Sequence, residues 1–120
     1  MMYLIAFLLI IHGLANLAGF AAFTLQVNIG FSDDHWLFSK TITRQTLIGR
    51  LFGVLWFLST LFLVAGGIGL IIGFPSWHMM SLVGLACSFL SIAPWWQVVV
   101  PGARIGAIFD VLMFLFLVLR

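Results

Sequence analysis

Four apolar runs, each close to the length needed to cross a bilayer, leave this chain few ways to fold. They cover about Met2–Phe23, Leu47–Gly73, Trp77–Trp95 and Ala103–Leu119, and a helical span needs roughly 20 residues. Inside hydrocarbon every backbone N–H and C=O must find a partner within the protein, so uninterrupted runs of this length are helices. Barrel strands would be shorter and would alternate in polarity. The expected architecture is an all-α integral membrane four-helix bundle, a single domain over residues 1–120. The composition agrees: 64% of the 120 residues are hydrophobic and 7% are charged, against about 25% charged in soluble domains.

The first run lacks a positively charged leader and a small-residue cleavage site, so it reads as a retained helix and not as a signal peptide. The formal net charge is +2, from five Lys and Arg spread along the chain. That is the basic fringe of a multi-pass membrane protein and no footprint for nucleic acid. Cys87 is the single cysteine, so thiol–disulfide chemistry within the chain is excluded, and the residue reads as packing.

The link at about residues 24–46 is the one substantial polar segment. Its mixture of Asp33, Asp34, His35, Lys40 and Arg44 with Phe31, Trp36 and Phe38 suits an interfacial segment. A short amphipathic helix capped by Ser32 or Asp33 is an expectation there. The second link is a tight turn around Pro75, with Ser76 placed to cap the next helix, and the third lies between Pro94 and Pro101. Lys40, Arg44, Arg50 and Arg104 all fall on the side of the long link. The excess of positive charge makes that side cytoplasmic, with both termini outside.

Asp110 is the only acidic residue outside the link. A carboxyl inside a span costs about 2.5–3.5 kcal/mol on insertion scales, so it calls for a partner or a task. Gly106 and Ala107 precede it by four and three residues, a small-residue face that suits close approach of neighbouring helices and turns Asp110 inward. His12 and Asn16 share a face of the first helix at i, i+4. Counting from the link end places Asn16 and Asp110 at one depth, with His12 one turn further in and Arg50 reaching down from a turn inside the second helix. His12, Asn16, Arg50 and Asp110 are therefore the candidate ligand-binding residues. Asp110 would be ionised if Arg50 pairs with it and neutral if left alone.

Each of these residues also has a plain structural reading: an Asp110–Arg50 register lock, a satisfied core histidine, an interhelical asparagine. His35 lies in the link and His78 beside Trp77 at an interface, so no second histidine faces His12 for haem. The run Asp33-Asp34-His35 reads as a solvated turn, and no metal site is expected. The spacings Gly49-x-x-x-Gly53, Gly69-x-x-x-Gly73 and Gly102-x-x-x-Gly106 point to close helix packing, within the chain or between copies.

The segments Ile11-His-Gly-Leu-Ala-Asn-Leu-Ala-Gly19, Gly49-Arg-Leu-Phe-Gly-Val-Leu-Trp56 and Pro101-Gly-Ala-Arg-Ile-Gly106, the last leading to Asp110, resemble those of small bacterial four-helix membrane proteins of the DoxX-like kind. The resemblance covers nearly the whole chain and implies a multi-pass protein of the bacterial inner membrane. Some members of that broad group are linked to quinone-coupled sulfur oxidation, which implies a hydrophobic redox partner. No catalytic residue carries over.

Three functions stay open on these grounds. The first is binding of a hydrophobic small molecule, a quinone or a lipid, between the helices over the polar cluster. The second is an accessory subunit that packs against copies of itself or a larger membrane complex. The third, a quinone-linked oxidoreductase, is disfavoured by the lack of any cofactor motif.

Overall fold

The computed structural model describes residues 1–120 and is all-helical apart from its links. The first span is α1 (Met2–Ala15) and α2 (Leu17–Phe23), two segments of one helix interrupted at Asn16. The others are α3 (Leu47–Ile72), α4 (Trp77–Ile92), extended by a 3-10 turn over Ala93–Trp95, and α5 (Pro101–Leu119). All four are long and apolar enough to cross a membrane. The longest dimension, 44 Å, matches a bilayer with its head-group layers, about 40–45 Å.

Local chemistry sets the helix ends. Thr46 caps α3 by accepting a hydrogen bond from the Gly49 N–H at 3.4 Å. Gly73 closes α3 in the left-handed conformation at φ 76°, which a side chain would oppose. Pro101 occupies the first turn of α5, where its missing N–H costs nothing. The fourth span therefore begins two residues before the expected Ala103. Ser76 stands before α4 but makes no side-chain cap.

The helix α3 is the axis of the bundle, packing on α1, α2 and α4, while α5 packs on α4. The sequence α1–α3–α4–α5 around the bundle leaves a seam between α1 and α5 that side chains close instead of backbone packing. The glycines of α3 face inward, Gly53 against Thr24 and Gly66 against Ser81, so this part of the glycine pattern serves the bundle itself.

The long link forms no amphipathic helix. Ser32 accepts from the Asp34 N–H at 3.0 Å in a local turn, and the chain then folds back through an antiparallel bridge between His35 and Thr43. This loop is tied to the α4–α5 link by Ser32 N–H to the Val98 carbonyl at 2.8 Å and Leu37 N–H to the Pro94 carbonyl at 3.0 Å. These long-range bonds hold the segment folded back on itself in place of a helix.

Two apolar clusters fill the interior. One, with Phe23, Phe31, Trp56, Ile92, Trp95 and Val98, lies under the loop. The other, with Ile5, Leu9, Leu63, Leu85, Met113 and Leu117, lies toward the termini. Polar side chains occupy the layer between them.

Candidate functional site

The local geometry of the first span starts the site. At Asn16 the hydrogen-bond ladder tightens: the Asn16 N–H is shared between the His12 and Gly13 carbonyls, both at 3.2 Å, and the Gly19 N–H bonds the Asn16 carbonyl at 3.1 Å. Thr60 of α3 inserts into the same turn, its hydroxyl donating to the Gly13 carbonyl at 2.7 Å. A foreign donor drawing on a helix carbonyl is a recognised cause of local distortion. His12 and Asn16 face the bundle on either side of this turn, at the level of α3 and α4 hydroxyls.

Asp110 is 1% exposed and is held on both carboxyl oxygens. His12 Nε2 lies 2.6 Å from Oδ1, and the Ser88 hydroxyl donates to Oδ2 at 2.6 Å. His12 Nε2 also approaches Ser88 Oγ at 3.2 Å. Asn16 donates through Nδ2 to Ser88 Oγ at 3.0 Å and to Ser59 Oγ at 2.8 Å. Ser59 in turn donates to the Trp56 carbonyl at 2.8 Å. One connected network thus joins α1, α3, α4 and α5. Phe109 flanks the imidazole with ring centroids 4.7 Å apart. A Cβ at Gly106 would stand 3.0 Å from His12 Cε1, so the glycine makes the room that lets the imidazole cross the α1–α5 seam.

Three of the four residues singled out from the sequence meet here, and the fourth does not. Arg50 is exposed at the link end of α3, where its Nε donates to the Gln45 carbonyl at 3.3 Å. The α3 residue that reaches the network is Ser59, nine positions further along, which is roughly 13–14 Å of helix. Arg50 takes the other course open to a long cationic side chain and snorkels outward. The expected Asp110–Arg50 pair is therefore replaced by His12–Asp110. The depth order also changes. Because α5 starts at Pro101, Asp110 lies roughly 13–14 Å in, between Asn16 at roughly 10 Å and His12 at roughly 16 Å, and so reaches His12 directly.

Ser59 and Ser88 belong to the site, and sequence reasoning passed over them. Hydroxyls in apolar helices usually bond their own backbone one turn back, as Ser81 does to the Trp77 carbonyl and Ser91 to the Cys87 carbonyl. The available signal was the register: Ser81, Ser88 and Ser91 share one buried face of α4, and Ser88 is the one level with Asp110. The remaining histidines serve elsewhere. His78 Nε2 is 2.7 Å from the Leu117 carbonyl, and His35 Nδ1 is 2.8 Å from the Trp36 carbonyl. Asp33 accepts from Arg44 at 3.0 Å and from Gln45 at 3.1 Å.

Cavities adjoin the network on two sides. One, of about 270 Å³, lies in the seam between α1–α2 and α5, with His12, Asn16, Trp56, Phe31, Ala18 and Gly106 in its wall. The other, about 310 Å³, is a groove between α4 and α5 lined by Leu85, Phe89, Leu90, Val111 and Phe114, with Asp110 as its only polar side chain. A third space of about 360 Å³ opens at the terminal end of the α1–α5 seam, between Met1, Ile5, Leu70 and Phe116. The His12–Asp110 bond thus spans a seam that is otherwise loosely filled.

Comparison with family models, with curated proteins and with solved structures found no match to this chain.

Proposed function

We propose that this protein binds a hydrophobic small molecule, a quinone or a lipid, between its helices, with the head group over the His12–Asp110 network. The observation that supports the reading most directly is the pairing of a mid-span polar network with apolar cavities on two sides. A mostly apolar pocket with a few convergent polar groups is the usual design of a ligand site. A network that served only to fix helix register would gain from close packing around it, because unfilled space forfeits dispersion contacts. By its resemblance to DoxX-like proteins we place the chain in a bacterial inner membrane.

A second reading has one observation in its favour. Both oxygens of Asp110 and both hydroxyls are satisfied within the chain, so the network is sufficient to lock four helices together. In that reading the protein is an accessory subunit, and its bundle packs against a larger complex.

The test is mild extraction followed by mass spectrometry of whatever co-purifies. Ligand binding predicts a stoichiometric hydrophobic molecule that is lost from a variant with a narrowed cavity, such as Ala18→Leu. If nothing is retained and Asp110→Asn lowers thermal stability alone, the ligand reading fails. A defined partner complex recovered in its place supports the second.

A further inference from the structure

We infer that the α1–α5 seam is a lateral gate: α5 hinges on α4, and the His12–Asp110 bond is the latch that holds it shut against α1. This goes beyond the ligand-binding reading, since it concerns how the interior is reached from the bilayer and not what is bound there.

Two of the helix contacts are built to stay fixed. Helix α1 lies so close on α3 that a Cβ at Gly13 would stand 2.9 Å from Leu63 Cβ, and one at Gly67 would stand 2.8 Å from the Ala6 carbonyl oxygen. Thr60 adds a hydrogen bond to the Gly13 carbonyl, and Ser59 accepts one from Asn16. Helix α4 meets α3 in the same way. A Cβ at Gly84 would stand 2.9 Å from the Leu63 nitrogen, and one at Gly66 would stand 3.1 Å from the Ser81 nitrogen. Helices joined through glycine backbones interlock closely.

Helix α5 is held differently. Neither of its glycines brings backbone against α4: Gly102 has nothing within 4 Å, and the neighbours of Gly106 are side-chain atoms of His12 and Ile92. Hydrogen bonds pin α5 to the α4 side at three levels instead. Arg104 Nε donates to the Trp96 carbonyl at 2.8 Å, just past the end of the α4 extension. The Ser88 hydroxyl donates to Asp110 Oδ2 at 2.6 Å, and His78 Nε2 donates to the Leu117 carbonyl at 2.7 Å. From Arg104 to Leu117 these pins cover roughly 20 Å of helix. Attachments strung along one side of a helix form a line about which it can turn without breaking any of them.

Across the opposite side a single hydrogen bond reaches α1, from Asp110 Oδ1 to His12 Nε2 at 2.6 Å, with Phe109 against the imidazole. Asp110 therefore divides its carboxyl group: Oδ2 belongs to the hinge and Oδ1 to the latch. Spaces of about 270 Å³ and 360 Å³ lie along the seam on either side of that bond, one toward the link and one toward the termini. Release of His12 lets α5 turn away from α1 and join the two into one slot facing hydrocarbon. Asp110 keeps Ser88 and Asn16 keeps Ser59 as this happens. A molecule dissolved in the bilayer would then enter sideways, without crossing an aqueous face.

Double electron–electron resonance in lipid nanodiscs tests this, with nitroxide labels on introduced cysteines in a Cys87→Ala background. The pair Leu14→Cys/Ile108→Cys spans the seam, and Leu14→Cys/Leu61→Cys spans the fixed α1–α3 contact, all three at exposed positions. In the parent the seam pair should give one main distance and a longer component of at most about 10%, as for a minor conformer. In His12→Ala the longer component should become the major one. Gly106→Ala, whose methyl group meets the imidazole at 3.0 Å, should raise it to a smaller extent. The α1–α3 distance should be the same in every variant. His12→Ala decides where it folds, and Gly106→Ala decides by the same two distances where it does not. An unchanged seam distance in the deciding variant overturns the gate. Equal broadening of both pairs also overturns it, because the network would then hold the bundle as a whole. The distances are read with no ligand added, so failure of the ligand reading by co-purification is a separate result.

Discussion

Arg44 and Asp110 are both buried ionisable residues, 5% and 1% exposed, but they are solved by different means. Arg44 sits beneath the link, at the membrane surface. It donates through Nη1 to the Ala22 carbonyl at 2.8 Å and through Nη2 to Asp33 at 3.0 Å. Ala22 lies in the last turn of α2, where helix carbonyls lack partners and a cation is favoured. The Asp33 side chain is 70% exposed, so water stands close to this pair. Asp110 has no water to fall back on, and every compensating group must come from a helix: His12, Ser88 and, through it, Asn16. The loop region shows how an interface tolerates a charge with whatever backbone lies near. The mid-span region shows that hydrocarbon demands a dedicated, multi-helix network.

That contrast can be broken by mutation, and the largest effect belongs to the mid-span pair. His12→Leu leaves Asp110 without its base and should cost on the order of 3–5 kcal/mol, the range for removing one partner of a buried pair. The double variant His12→Leu/Asp110→Leu should recover most of the loss, since apolar replacement of a buried pair is often neutral or better. Reversible unfolding in mixed micelles measures both. A double variant as unstable as the single would show that the two residues are not coupled. Ser88→Ala strips one acceptor from Asn16 and one donor from Asp110, and the same assay should register about 1–3 kcal/mol.

At the surface the effects should be smaller. Arg44→Met should cost about 1 kcal/mol, below the scale of a fully buried pair, because water can replace the guanidinium at the exposed Asp33. Its clearer signature is faster tryptic cleavage at Lys40, read by limited proteolysis, as the loop loses its tie to Ala22. A loss as large as that of His12→Leu would erase the distinction between the regions. Arg50→Ala should stay within about 0.5 kcal/mol in the same unfolding assay, as expected for an exposed side chain away from the network.

The fold was legible because hydropathy and length alone decide it: no alternative buries four such runs. Asp110, His12 and Asn16 were legible as anomalies, since each violates the apolar pattern of its helix. Their partner was not. Arg50 looks like the natural counter-ion by charge, and only the depth of each residue along its helix excludes it. Depth depended on where α5 begins, and the sequence pattern placed that start two residues late, past Pro101. Ser88 was hidden for another reason: its sequence context is the same as that of Ser81 and Ser91, which bond only their own helix. Packing alone tells them apart. The link resisted reading because its form comes from hydrogen bonds to residues 94–98, far away in sequence.

What ties α1 to α5 is the bond between His12 and Asp110, 2.6 Å long in mid-span. Nitrogen-15 histidine NMR in lipid nanodiscs tests it most directly, with the signals of His12, His35 and His78 separated by comparison with His12→Gln. Slow exchange of the His12 ring protons with solvent and a shift of its Nε2 signal in Asp110→Asn are expected. A His12 ring that exchanges freely and is unmoved by Asp110→Asn would contradict that bond.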